Sequence, residues 1–149
     1  MLFKQLQAKG LVEVAAPDVH GANHLVSRAQ KDLKTAQGMV GTDPEWAYVV
    51  AAHAIVRAAR ALTMAEGVRP KGREQVRTLL QVTGYLAGEG DASLVDDLEQ
   101  VRKKGEHLLE SADRPISHYE LEGTLNIAEH LVGIVARRVY AKDLQMRLF

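Results

Sequence analysis

The residues best suited to chemistry are an arginine and a histidine in the segment RKKGEH at 102–107. A histidine with a pKa near 6.5 can take the proton of an RNA 2′-hydroxyl, and a guanidinium can stabilise the charge that develops at the phosphate. Arg102 and His107 are therefore the candidate catalytic residues for RNA cleavage without a metal. On a regular helix their side chains lie about 140° apart. One helix therefore does not bring the arginine and the histidine together, but a second copy of the chain facing it could.

Positive charge near this pair is the next candidate feature. Basic residues outnumber acidic ones between positions 57 and 77, where Arg57, Arg60, Arg69, Lys71, Arg73 and Arg77 stand against Glu66 and Glu74. The functional interpretation is a phosphate-binding patch in which Lys103 and Arg60 or Arg73 support Arg102. The alternative is an ordinary helix surface with ion pairs one turn apart, such as Glu99 with Lys103 or Arg102 with Glu106.

Metal and cofactor sites are not expected. The chain has no cysteine, and none of its six histidines follows a glutamate by three residues, as di-iron bundles require. His20 and His24 lie one helical turn apart but have no third ligand nearby in the sequence. His53 lies opposite the Ile55 stripe of its helix and is interpreted as a surface or packing histidine.

Length and composition favour one globular domain. The chain has 149 residues, with 19 Lys and Arg balanced by 19 Asp and Glu, and 46% of its residues are hydrophobic. No apolar run approaches the roughly 18 residues of a membrane span, and the segment MLFKQLQAKG is too polar for a signal peptide. We therefore expect a cytoplasmic domain without a membrane segment.

Apolar stripes at helical spacing predict an all-α, up-and-down helical bundle of about five helices. The expected helices run from about Asp18 to Met39, from a cap at 42–45 to Gly67, from Gly72 to Leu86, from Ala92 to Glu110, and from a capping box at 117–120 onward. No stretch alternates with period two, so no sheet is expected. Residues 1–16 are interpreted as an N-terminal leader, 17–142 as the bundle and 143–149 as a frayed C-terminal tail.

The second helix carries more apolar surface than one bundle core needs. Its second face holds Trp46, Val49, Val50 and Val56. A surplus of this kind usually contacts a partner surface, which predicts a homodimer.

Three stretches also carry a family resemblance: ARALTMAEGVRPKG at the exit of the second helix, VRKKGEH, and RPISHYELEGTLNIAEHLV in the last helix. Over about residues 17–140 this layout resembles the HEPN (higher eukaryotes and prokaryotes nucleotide-binding) family. The family signature is an Arg, usually a polar residue, and a His four to six residues after the Arg. Arg102 and His107 match it, Lys103 stands where Asn is commonest, and Leu109 stands where some toxins of the family carry a modified Tyr.

The resemblance implies a helical, often homodimeric domain that binds RNA or a nucleotide, with a small nucleotidyltransferase as a partner in a toxin–antitoxin pair. Lys103 favours a module that binds and does not cleave. The alternative is a metal-independent endoribonuclease that acts as a homodimer through Arg102 and His107. A structural helical adaptor is a third, weaker interpretation.

Overall fold

The computed structural model describes residues 2–88, 92–110 and 116–148. The elements of these ranges are α1 (Leu2–Ala8), β1 (Val12–Val14), α2 (Val19–Met39), α3 (Pro44–Glu66), β2 (Val68–Pro70), α4 (Gln75–Ala87), α5 (Ala92–Glu110) and α6 (His118–Leu148). The fold is an all-α helical bundle, which confirms the class expected from the apolar stripes. Helices α2 to α6 correspond to the five expected helices, and α1 is a short addition at the N-terminus.

Side-chain caps define where two of the helices begin. Asp43 accepts a hydrogen bond from the backbone N–H of Trp46 at 3.1 Å, and Pro44 follows as the first residue of α3. At α6, the hydroxyl of Ser117 accepts the backbone N–H of Glu120 at 3.0 Å. Both caps satisfy N–H groups that have no partner within their helix, which is why the sequence positions of these two starts are unambiguous.

Helix α3 occupies the centre of the bundle and packs against α2, α4, α5 and α6. Its small side chains make this possible, because a helix with alanine on several faces lets neighbouring backbones approach closely. The buried alanines of α3 are Ala47, Ala51, Ala52, Ala54, Ala58, Ala59, Ala61 and Ala65. The alanine-rich stretch thus forms a helix with several neighbours.

A two-stranded antiparallel sheet joins the N-terminal segment to the end of α3, where no sheet was expected. Gly67 ends α3 in the left-handed region (φ 72°), and β2 begins at the next residue and pairs Val68 with Val14 of β1. Each strand has only three residues, too few for an alternating pattern to stand out in the sequence. A side chain at Gly67 would come within 2.6 Å of the carbonyl oxygen of Ala15, so glycine is required at this turn.

Both chain ends are more ordered than the sequence suggests. The N-terminal segment packs on the bundle, because Leu6 and Val12 form a small second core with Val82 of α4. Helix α6 continues through Leu148, so the described residues of the expected 143–149 tail are helical; Phe149 lies outside the described residues. The added turns extend past Val139, the last fully buried residue of the helix.

The second apolar face of α3 is divided between the core and the surface. Val49 is buried, which corrects its assignment to a free face, whereas Trp46 is 46% exposed and Val50 and Val56 are half-buried. No helix among the described residues is both long enough and apolar enough to cross a membrane.

Candidate functional site

An open groove of about 410 Å³ lies between α3 and α5. Its apolar lining comes from four helices and includes Leu25, Val49, Val56, Val76 and Leu109. This volume is within the range of small-ligand sites, which are mostly apolar with a few polar groups that set orientation. We therefore take the groove as the candidate site.

The groove lies beside a close contact between two helices. Gly105 of α5 is buried against Ala52 of α3, and a Cβ at position 105 would lie 3.2 Å from the Cβ of Ala52. The absence of a side chain at this position allows α5 to approach α3 closely. The larger residues on either side of this contact line the space that forms the groove.

Arg102 lines the groove but is held by two carboxylates of its own helix. Its guanidinium donates to Glu99 at 2.5 and 3.0 Å and to Glu106 at 2.8 Å. The hydrogen bond from Arg102 lowers the pKa of Glu99, and the same bond raises the pKa of Arg102 further above its usual value. Because both partners are ionised, these are strong charge-assisted contacts, and the positive charge of Arg102 is already neutralised.

The two arginines that α3 contributes to the groove, Arg57 and Arg60, differ in whether a carboxylate lies beside the guanidinium. Arg57 lies 3.2 Å from Asp32 of α2, an ion pair without hydrogen-bond geometry. The guanidinium of Arg60 is exposed and makes no ion pair or side-chain hydrogen bond within the described parts of the chain. Arg60 is therefore the arginine of the groove whose charge is free to attract an anion.

The other candidate residues lie elsewhere. His107 and Lys103 are exposed on α5, and Arg73 is exposed in the segment before α4; none of the three is among the described residues that line the groove. The structure thus brings Arg102 and Arg60 to one site and does not bring His107 to it. The helical geometry of α5 explains this, since five residues turn His107 away from Arg102.

Sequence reasoning missed two features of the site. Glu99 was paired with Lys103 at four-residue spacing, whereas it binds Arg102 at three-residue spacing; both spacings place side chains side by side on a helix, so the sequence could not choose between them. The sequence predicts His53 to be a surface or packing histidine. It is indeed exposed, but it also lines the groove.

The histidine and carboxylate side chains of the described residues do not indicate a metal site. Within the described residues, no group of three or more histidine or carboxylate side chains could hold a metal ion. His20 and His24 contact each other edge to face, with ring centroids 5.4 Å apart.

No protein-family model matches the chain, and no curated protein or solved structure was found to match it.

Proposed function

We propose that this chain is a nucleotide-binding module whose ligand occupies the groove between α3 and α5. The observation that carries the proposal is Arg60, a cation without a carboxylate partner in the described chain, at the rim of an apolar groove. A nucleotide combines the same two properties, since its base is flat and largely apolar on its faces and its phosphate is an anion.

The chemistry of the groove fits each half of such a ligand. The guanidinium of Arg60 can bind two phosphate oxygens at once. The side chains of Val56, Val76 and Leu109 offer an apolar surface for the base. Arg102 contributes shape rather than net charge, because Glu99 and Glu106 neutralise it.

The sequence adds three elements to this proposal: a cytoplasmic location, a homodimer and, from the HEPN resemblance, a small nucleotidyltransferase as a partner in a paired system. The exposed Trp46 supports the homodimer, because a large aromatic side chain at the surface is typical of interfaces. Light scattering would then give about twice the 16.4 kDa of one chain. A mass of one chain at micromolar concentration would contradict the homodimer.

Nucleotide titration tests the central claim. We expect one or more of AMP, GMP, CMP and UMP to bind the wild type in calorimetry, and Arg60→Ala to weaken that binding about 10- to 100-fold, because a charge-assisted hydrogen bond is lost. Arg28→Ala is the matched control, since Arg28 is exposed on α2 and does not line the groove. Circular dichroism checks that both variants fold. No binding by any of the four nucleotides, or equal binding by Arg60→Ala, would overturn the proposal.

A further inference from the structure

A second cavity, of about 290 Å³, borders the same arginine as the groove. It is formed by the C-terminal end of α3, the start of α4 and the chain around β2, and it is lined by residues that include Ala16, Asp18, Thr63, Arg69 and Gln75. Arg60 lines both spaces. Arg60 is therefore a residue that the two cavities share.

The two cavities follow one face of α3. The α3 residues that line them are Val49, Ala52, His53, Val56, Arg57, Arg60, Thr63 and Met64. At 100° per residue these eight positions fall within an arc of about 140°, and at 1.5 Å per residue they extend over about 22 Å. Arg60 lies near the middle of the arc, so a ligand that follows this face passes its guanidinium on the way from one cavity to the other.

The linings of the two cavities differ in polarity. The groove is mostly apolar, whereas the second cavity adds the carboxylate of Asp18, the amide of Gln75 and the guanidinium of Arg69. Asp18 accepts the backbone N–H of Gly21 through Oδ1, and Arg69 is paired with Glu13. A carboxylate repels phosphate but accepts hydrogen bonds from hydroxyl groups. The second cavity therefore suits the sugar of a nucleoside better than another phosphate.

From this arrangement we propose that the ligand consists of two nucleosides bridged by phosphate, with one nucleoside in each cavity and the bridging phosphate at Arg60. The inference depends on the proposed nucleotide binding at the same groove and specifies its ligand. A bridged ligand binds more tightly than its separate halves, because once one nucleoside is bound the other is held at a high local concentration.

The first test compares ligands on the intact protein. We expect the dinucleoside monophosphate ApA to bind at least about tenfold more tightly than AMP. Equal affinities for ApA and AMP would overturn the two-cavity ligand and leave nucleotide binding at the groove intact, whereas failure of AMP and the other mononucleotides to bind would contradict the proposed function itself. Diadenosine diphosphate and the DNA dinucleotide d(ApA) show which kind of molecule supplies the bridged nucleosides. If ApA binds more tightly than both, the ligand is part of an RNA strand. If diadenosine diphosphate binds most tightly, the ligand is a free dinucleotide.

The second test blocks only the second cavity. Ala16 is exposed and lines this cavity but not the groove, so Ala16→Phe places a ring where the second nucleoside would bind. We expect Ala16→Phe to reduce ApA affinity to that of AMP and to leave AMP affinity unchanged, which also shows that the variant folds. Ala8→Phe, an exposed position outside both cavities, is the matched control. If Ala16→Phe keeps the full advantage of ApA, or weakens AMP and ApA equally, the inference is wrong.

Discussion

Two of the three arginines that line the groove, Arg102 and Arg60, differ in what surrounds them. Arg102 on α5 donates to Glu99 and Glu106, and its side chain is only 19% exposed. Arg60 on α3 is exposed and has neither an ion pair nor a side-chain hydrogen bond in the described chain. In the sequence, Arg102 stands out because a histidine follows five residues later, whereas Arg60 is one of several basic residues in a long stretch.

The difference shows that the availability of a cation depends on its neighbours and not on its motif. An arginine held by two carboxylates gains little from an additional anion, because a phosphate would have to compete with ionised groups already in place. An exposed arginine beside an apolar groove has no such competitor. Adding a carboxylate beside Arg60 should therefore make its charge less available to an anion, and removing a carboxylate from Arg102 should make its charge more available.

The largest effect should come from giving Arg60 a carboxylate. Val56 lies four residues before Arg60 on α3 and lines the groove, so Val56→Glu places an acidic side chain within reach of the guanidinium and of any bound phosphate. We expect Val56→Glu to bind nucleotide about 100-fold more weakly than Val56→Gln, because a like charge facing the phosphate costs several kcal/mol. Isothermal titration calorimetry on both variants measures the difference.

Val56→Gln is the matched control for that comparison. It has the same length and removes the same apolar surface, but it adds no charge. If the two variants bind nucleotide equally, the phosphate does not lie near Arg60, and the contrast between the two arginines has no consequence for binding.

A smaller effect is expected when the carboxylates of Arg102 are removed one at a time. Glu99 is 20% exposed and binds Arg102 twice, so Glu99→Gln should lower the free energy of unfolding by about 1–2 kcal/mol. Glu106 is 60% exposed, and solvent screens its interaction with Arg102, so Glu106→Gln should cost less than about 0.5 kcal/mol. Denaturant unfolding at neutral pH measures both values.

The pH dependence of the same measurement provides a check. Because Arg102 lowers the pKa of Glu99 in the folded state, the stabilisation is fully present above the ordinary value of 4.5 and is lost as the pH falls through the lowered value. The difference in the free energy of unfolding between wild type and Glu99→Gln should therefore be largest at neutral pH and should shrink as the pH falls below 4.5. A difference that is constant across this range would mean that the ionised carboxylate is not what stabilises the fold.

Much of the fold could be predicted because its signals are local. The caps at Asp43 and Ser117 and the stop at Gly67 involve residues within one turn of each helix end, so their spacing is visible in the sequence. The β1–β2 pair was missed because it joins residues more than 50 positions apart through strands of three residues. The continuation of α6 was missed because its last turns lack a buried stripe.

The candidate site could be predicted only in part, for a similar reason. Arg60 was among the expected phosphate anchors, since it belongs to a stretch rich in basic residues. The groove beside it depends on the approach of Gly105 to Ala52, a contact between two helices separated by α4. Arg73, the other anchor in that stretch, lies outside the groove because the chain turns between β2 and α4. The density of basic residues in the sequence therefore indicates the region of the site, but only the packing of the helices shows that Arg60 lines the groove.

The smallest effect is expected at the histidine of the motif. His107 is exposed on α5 and does not line the groove among the residues described. His107→Ala should therefore change the free energy of unfolding by less than about 0.5 kcal/mol and leave nucleotide affinity unchanged. Denaturant unfolding and calorimetry of the variant against the wild type measure both quantities.

The ribonuclease alternative predicts a different result for the same variant. It requires a second copy of the chain to place His107 near the Arg102 of its partner, since the two side chains of one helix diverge by about 140°. Wild-type protein incubated with single-stranded RNA in the presence of EDTA should then cut it, and His107→Ala should not. Because His107→Ala keeps the fold and the groove, loss of cutting could be assigned to proton transfer by the histidine itself. RNA left intact by the wild type would favour the binding module and leave Arg60, not Arg102, as the arginine that matters.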